Sequence, residues 1–551
     1  MSASPLHPVV FRPLQARFLS IPQAPLCYWL RERFLELLGF HSRIGKIARV
    51  EEGYKTADNE RFLRFFWEVA TTAGWVPYEK GGGFARWAGL SFHVLDWRNE
   101  GGRLLSSEGT AISRAPQENP EGLTYSEIAR GSLGFRLMHQ GSAFDFKAHG
   151  VFAEAHSPAG LCALLNTRHM SYMARALSPS IYINQGYVAR LPYIGLEAPH
   201  VDAVASACIC LKRHLVDRDS TERSFAYLQP QGGTLAEAWR RATDEADAVA
   251  AVLHALEGLS EREVFAAYGV AGEDLQAVLD ETGTPAGWFP LIAGYDAIPA
   301  LPEGVEVPQS LLAPLAREER RSLSPEELTD LKRRVRAFYE AGPGAKEDVE
   351  EDGGDDGDDG EEIEAAVSGA RIPIPAETFL EELSQKLEVH PISVYWLLRE
   401  LREKEGVVCQ AELERFVEDY VSVTVLRLLG HRWPKEIEAG DRLPAWADPD
   451  GIIPLTEGVG EPTILQRVRE RIAEDFGPDR VNVIEQEFRQ IIGTSLGAWL
   501  ATQFFPRHIS QFKKRPIAWH IQSTRGDGQR SRRGKANAPP AFSCLGPAPQ
   551  N

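Results

Sequence analysis

Cations interleaved with aromatic rings are the residues whose chemistry stands out first. Lys55, Arg61, Arg64, Lys80 and Arg86 are interspersed with Tyr54, Trp75, Tyr78 and Trp87, and Gly81-Gly82-Gly83 follows Lys80 directly. Cations neutralise phosphate and glycines let a backbone approach it closely, so the pattern suits a surface that binds nucleic acid. Lys80, beside three glycines, is where a phosphate contact is expected. The competing reading of the same residues puts the rings in a core and leaves the cations solvated. Other reactive groups offer less. Asp479, Glu485 and Glu487 form a carboxylate set able to hold Mg²⁺. The run from Val481 to Ile492 carries apolar residues at helical spacing, however, and lacks the basic residue such sites place beside the metal ligands, so a solvated helix face is expected. Cys208, Cys210 and His214 could supply three zinc ligands, but no second cluster completes a tetrahedral site, and ordinary helical cysteines are expected. The H-E-x-x-H, P-loop and G-x-S-x-G motifs are absent.

The elements that must position these groups read as mixed α+β. Glycine turns between short aromatic-rich stretches from Tyr78 to Trp97 predict strands and hairpins. Apolar spacing around Phe34 predicts a helix punctuated by Gly39 and Gly45, and residues 158–177 predict one helix started at Ser157-Pro158. Asn184 and Gln185 could read a base edge; the turn before Pro192 is their favoured role. Residues 234–340 read as helical, the last helix opening on a capping box, Ser324-Pro325-Glu326-Glu327, with Leu328, Leu331, Val335 and Phe338 as its buried stripe. Dense acid and glycine from Gly342 to about Ala366 predict a disordered, self-repelling linker. Beyond it, Ile464, Leu465, Val468, Ile472 and Phe476 line a helix that Gly477 stops. Residues 379–408 read as helix, turn, helix and a strand-like start, a winged-helix pattern. Ile392, Ser393, Tyr395 and Trp396 stand where a DNA reader would expose basic residues, so a packing pair is expected.

These boundaries give a connector at 1–40, an α/β region at 41–215, a helical support at 216–341, the acidic linker at 342–370, a second helical domain at 371–506, and a basic then Pro/Gly-rich tail at 507–551. The chain of 551 residues carries a net charge of −18, unevenly spread. Residues 1–215 hold 23 Lys and Arg against 18 Asp and Glu, residues 507–535 hold nine against one, and twelve acids crowd between Glu347 and Glu364. A polyanion feels local basic surface within roughly 10 Å, not the whole-chain sum, so the acidic total does not exclude DNA. Six scattered cysteines suit a reducing compartment, no run of apolar residues is long enough to cross a bilayer, and no export signal opens the chain, so a cytoplasmic protein is expected.

Three stretches in order resemble a known family: Gly53–Glu68 with Gly74–Trp87, Leu177–Pro192, and Lys513–Trp519, with lesser echoes at Val264–Gly269 and Gly451–Leu455. They are similar to the C-terminal, target-recognition and helical part of the Pgl/BREX-type adenine-specific DNA methyltransferases of phage defence and related single-chain restriction–modification enzymes. The resemblance covers about residues 15–525. It implies a module that positions duplex DNA, with Lys55, Arg61, Arg64, Lys80, Gly81, Gly82, Arg86, Arg190, Lys513, Lys514 and Arg515 as candidate DNA-binding residues. It also implies S-adenosylmethionine as cofactor of the complete enzyme. An amino-methyltransferase needs a Gly-rich strand-to-helix turn for that cofactor and an Asn/Asp-Pro-Pro-aromatic loop for the flipped base. Neither string is present; Asn119-Pro120-Glu121, Asp448-Pro449-Asp450 and Asn537-Ala538-Pro539-Pro540 lack the order. The chain alone is therefore expected to be inactive and to hold no cofactor or metal, and to work with a methyltransferase domain on a separate polypeptide or other defence proteins. The alternatives are a protein–protein scaffold of a defence complex and a truncated, non-functional remnant.

Overall fold

The computed structural model describes residues 18–344, 376–523 and 542–547, apart from positions 20, 22, 24, 40–41, 70–72, 129–131, 155, 179, 196–198, 228, 231 and 458–459. The acidic run from Glu347 to Glu364 and the basic residues from Arg525 to Lys535 lie outside the described residues. The fold is mixed α/β, with long helices around several small sheets.

Eight short strands fall between residues 48 and 153: β1 (Ala48–Glu51), β2 (Leu63–Phe65), β3 (Trp75–Glu79), β4 (His93–Asp96), β5 (Gly122–Ser126), β6 (Arg136–Met138), β7 (Ala143–Phe144) and β8 (Ala148–Ala153). They form two four-stranded sheets, ordered β1-β8-β5-β6 and β2-β4-β3-β7. Every pairing is antiparallel except that of β3 with β7. The turn glycines between β3 and β4 make this hairpin possible, as the alternation of glycine and aromatic residues predicted.

Helices carry most of the rest. The stretch expected to be helical over 234–340 also holds a parallel pair, Leu291–Ile292 with Arg320–Arg321. The expected tail holds Ala518–Ser523 and Phe542–Pro547, which pair with each other and, through the latter, with Ile453–Pro454. The 33-residue helix Leu235–Ala267 is buried without interruption from Asp247 to Leu256, so it is a core rod rather than a surface helix. Pro199–Val216, Ala376–Leu387 and Pro391–Lys404 pack around it, so helices from both sides of residues 345–375 share one apolar core. The buried guanidinium of Arg402 fastens them together, bonding Asp244 and Asp247 of the long helix at 2.9 and 2.8 Å. A second core joins residues from Leu413 onward to Phe225 and the start of the long helix and closes on Val94 of the second sheet and on Phe66 and Trp67 of the turn after β2.

Most local expectations hold, and two fail: the single helix over 158–177 and the strand-like start at Val407-Val408. Ser324 and Glu327 form the capping box, and Leu331 and Val335 are buried beneath it. Gly477 ends the helix Ile464–Phe476 at φ +105°. The single helix expected over 158–177 is two, Pro158–Leu165 and Arg168–Leu177. The break lies at Asn166, whose amide is spent on Phe135, accepting from its N–H at 2.7 Å and donating to its carbonyl at 2.9 Å; Thr167 then caps the second helix. The pair Ala376–Leu387 and Pro391–Lys404 packs as expected: Ile392, Ser393 and Tyr395 are buried, Trp396 donates to the Ala297 carbonyl, and Val407-Val408 forms no strand. Among the described residues no helix is long and apolar enough to cross a membrane.

Candidate nucleic-acid interface

Three chain segments run side by side in one direction at the end of the second sheet. β3 pairs in parallel with β7, and Tyr54 bridges Asp145 in parallel on the far side of β7. Tyr54 donates its N–H to Phe144 O and Phe146 donates to Tyr54 O, so the ladder is closed on both registers. Lys80 follows the last paired residue of β3, Lys55 follows Tyr54 and is bridged onward to Ala111, and Lys147 lies two residues past Asp145. Adjacent strands stand about 4.8 Å apart, so the three lysines belong to neighbouring segments at one end of the sheet. Lys55 and Lys147 are exposed, Lys80 is half-buried, and none of the three forms an ion pair among the described residues.

The loop after Lys80 is held from beneath. A Cβ on Gly81 would stand 2.4 Å from the Lys147 carbonyl, so only glycine lets the two lysine-bearing segments approach this closely. Gly82 follows at φ +111°, its N–H donating to Ser126 Oγ at 3.2 Å, and that hydroxyl lies 3.0 Å from the Gly83 carbonyl it donates to. Arg136, 1% exposed, lies under the loop with Nη2 3.4 Å from the Lys80 carbonyl and Nε 3.6 Å from Glu79 Oε2. Burial pushes the Glu79 carboxyl up, opposed by Arg136 and by the Ser91 hydroxyl. Asp145, buried between the lysines, is also raised by burial; the Lys147 N–H and the Lys80 charge act against that. Two acids, Glu79 and Asp145, are thus withdrawn beneath the lysines, while Glu127 stands half-buried beside Lys147.

A fourth lysine arrives from the other end of the chain. The helix Phe504–Gln511 ends in a turn where Lys513 and Lys514 both take left-handed backbone, φ 52° and 60°. Such a conformation costs a side chain of this kind roughly 1 kcal/mol or more and needs support. Three contacts supply it. Trp67 Nε1 donates to the Arg515 carbonyl at 2.8 Å, Phe512 meets the Trp67 ring edge-on at 5.2 Å, and Lys513 Nζ sits 4.2 Å from the centre of the Phe92 ring. His508 Nε2 accepts the N–H groups of Ile517 and Ala518 at 2.8 and 3.1 Å, closing the turn from below. Phe65 and Tyr78 flank His93 in register on the sheet. Burial drives the His93 imidazole down to about 3, with the charges of Lys80 and Lys513 acting in the same direction. Lys513 thus packs beside Phe65 and Phe92, the rings that flank His93.

The remaining candidates separate. Arg515 lies on the same turn, 3.9 Å from Glu68 Oε1. Arg64 is turned onto its own backbone, donating to the Glu60 and Leu63 carbonyls, and Arg61 covers the Phe62 ring at 5.0 Å. Arg190 stands elsewhere, beside the first sheet, bonded to Gly186 O and Gln23 Oε1 and packed on Tyr187. Arg86 leaves the set: its guanidinium, 13% exposed, is 3.2 Å from Glu257 and 3.5 Å from Glu381, acids no local pattern could have revealed. Asn184 caps the helix Gln185–Arg190 through the N–H groups of Gly186 and Tyr187, the turn role expected of it. Glu487 caps the long helix at Leu235 and Ala236, while Glu485 pairs with Arg469, so the carboxylates near Asp479 serve packing. Cys208 is buried, Cys210 exposed, and His214 bonds Arg218. Lys147 and Arg136 were not singled out from sequence, because their place depends on parallel pairing between distant segments.

No protein-family model matches the chain. Over 241 residues, 40% of its length, it is 31% identical to a protein of Lacticaseibacillus casei (strain Zhang) named adenine-specific methyltransferase PglX, of which the match covers 20%. Over 227 residues, 39% of its length, it is 25% identical to adenine-specific methyltransferase BrxX of Escherichia coli O9:H4 (strain HS), covering 18% of that protein. The matches thus span about a fifth of the length of these curated relatives. The relatives of this chain are adenine-specific methyltransferases, at low identity over about 40% of its residues.

Proposed function

We propose that the chain is the DNA-recognition part of a site-specific adenine-N6 DNA methyltransferase of a phage-defence or restriction–modification system. The observation that carries this reading is the packing of Lys513, from the far end of the chain, on Phe92 and Phe65 of the sheet whose end bears Lys55, Lys80 and Lys147. Phosphates of a duplex seat against the lysines, and the Gly81–Gly83 loop brings backbone N–H groups to the same surface, fixing the register of the DNA. S-adenosylmethionine supplies the methyl group in the complete enzyme. The described residues do not fit it: the one extended parallel pair near the rim, β3 with β7, is joined through β4, β5 and β6 rather than through a crossover helix with glycines at its start. Methyl transfer is accordingly assigned to a catalytic domain other than the described residues, which take no chemical step in it.

The test is binding of the purified chain to mixed-sequence duplex DNA at low and moderate salt, with and without S-adenosylmethionine. Binding that weakens steeply with salt and ignores the cofactor is expected. No binding at low salt would remove the reading and favour a scaffold. Tighter binding with S-adenosylmethionine would show that the chain does more than recognise DNA.

A further inference from the structure

One large apolar side chain stands out on the basic rim. Phe84 follows the three glycines directly and is 60% exposed, although burial of a phenylalanine is ordinarily worth about 1.5–3 kcal/mol. Its position is fixed rather than floppy. Ser126 pins Gly82 and Gly83 just before it, and a Cβ on Gly134 would stand 3.1 Å from the Phe84 ring, so the ring lies across a bare stretch of backbone. The strand end that carries Ser126 continues to Ile128, which bridges Tyr182; these side chains are 38% and 47% exposed. An apolar strip therefore adjoins Lys80 and Lys147.

Resting on the DNA-recognition reading above, we propose that Phe84 is a wedge that enters the base stack of the duplex gripped by these lysines. The flanking charge identifies the occupant. A protein partner would gain from apolar contact alone, whereas an exposed ring on the loop that Lys80 opens, pinned by Ser126 beside the segment that bears Lys147, matches a polyanion with π-faces inside it. Insertion separates two stacked base pairs and kinks the helix, which eases extrusion of a neighbouring base by a catalytic partner. No bond forms or breaks; the wedge exchanges base–base stacking for base–phenyl stacking.

Opening the stack costs least where a pair is already mismatched. The full chain should therefore bind a duplex with one central mismatch more tightly than the fully paired duplex of the same length, by about tenfold if one stacking contact is gained. Phe84→Ala should abolish that preference and leave affinity for the paired duplex within about threefold, whereas Phe84→Trp should keep the preference. Lys80→Gln should weaken both duplexes equally. An exposed ring contributes little to folding, so the thermal midpoint of Phe84→Ala should match the parent and certify the comparison. If the parent chain binds the two duplexes alike, or Phe84→Ala keeps the preference, the wedge is wrong while DNA recognition stands. If the parent binds neither duplex at low salt, the recognition reading itself fails. Mismatch preference unchanged by Phe84→Ala, together with loss of a protein partner, would make the strip a protein-docking face instead.

Discussion

Lys80→Gln combined with Lys513→Gln tests whether residues from the two ends of the chain form one DNA surface. Each lysine that seats a phosphate releases counterions, so the slope of log affinity against log salt falls by about 0.9 per contact in duplex DNA. The structure offers four such lysines, Lys55, Lys80, Lys147 and Lys513, and one phosphate each gives a slope of about −3.6. Between about 50 and about 200 mM salt the parent should then lose about 150-fold in affinity, and the double variant, with a slope of about −1.8, about 12-fold. Fluorescence anisotropy with a labelled duplex, titrated at four salt concentrations, resolves that difference. Lys404→Gln is the control, because Lys404 is 71% exposed but paired with Glu400 on a helix away from the rim. Each single variant should change the slope by about 0.9. Slopes that are equal in the parent and the double variant would refute the surface, even if affinity fell, because loss without a change in slope reports misfolding or a non-electrostatic contact.

Three further outcomes are expected. Arg86→Gln takes a buried cation from Glu257 and Glu381 and should cost about 3 kcal/mol in urea unfolding, at the low end of buried pairs because Glu381 keeps Arg168 and Glu257 keeps His254 and the Trp87 N–H, while the DNA salt slope stays at the parental value. Gly81→Ala drives a methyl into the Lys147 carbonyl, which accepts the Glu127 N–H at 3.0 Å, so it should cost about 1–3 kcal/mol and weaken DNA binding; parental affinity and midpoint would show that the loop is not held as described. Below its ordinary value of 6.5 the unfolded chain binds a proton that buried His508, held down to about 3, refuses, so its contribution is present above pH 6.5 and drains away as pH falls toward 3. His169 and His390 shift the same way for the same reason, burial, so the three together should remove roughly 4 kcal/mol between about pH 7.5 and 5.5, read as a fall in the urea midpoint that an unchanged midpoint would contradict.

What sequence made legible was local. The Ser324 box, the Gly477 stop and the Asn184 cap each act within four residues, and each stands where spacing put it. Lys80 and its glycines were legible for the same reason. The failures are all non-local. Asn166 ends a helix because Phe135 offers its backbone from a neighbouring segment. Arg86 looks like Lys80 in a one-dimensional pattern, yet Glu257 and Glu381 reach it from helices on either side of the acidic segment. Lys147 joins the rim only because β7 pairs in parallel with β3, and parallel neighbours are separated by long connections that leave no short-range mark. The resemblance placed Lys513 in the same family of stretches as Lys80; the docking of Trp67 on the Lys513–Arg515 turn is what brings them to one surface.

The division of labour between the two basic side chains bears on how such a surface would work. Arg86, Arg168, Arg402 and Arg507 are committed to acids inside the protein, where a planar fork satisfies two partners at once. The rim instead presents lysines, compact point charges on flexible stems, which suit a phosphate at variable distance and carry no geometry for a base edge. On the proposed reading such a rim would grip without reading sequence, and its removal should weaken binding to every duplex by the same factor. Any variant that changes the preferred sequence must act through another group, and the side chains placed to feel the base stack from this surface are Phe84 and its apolar neighbours Ile128 and Tyr182. Affinity measured on a panel of unrelated duplexes separates the two roles: a uniform loss follows from Lys80→Gln, and a loss that varies with stacking strength follows from Phe84→Ala.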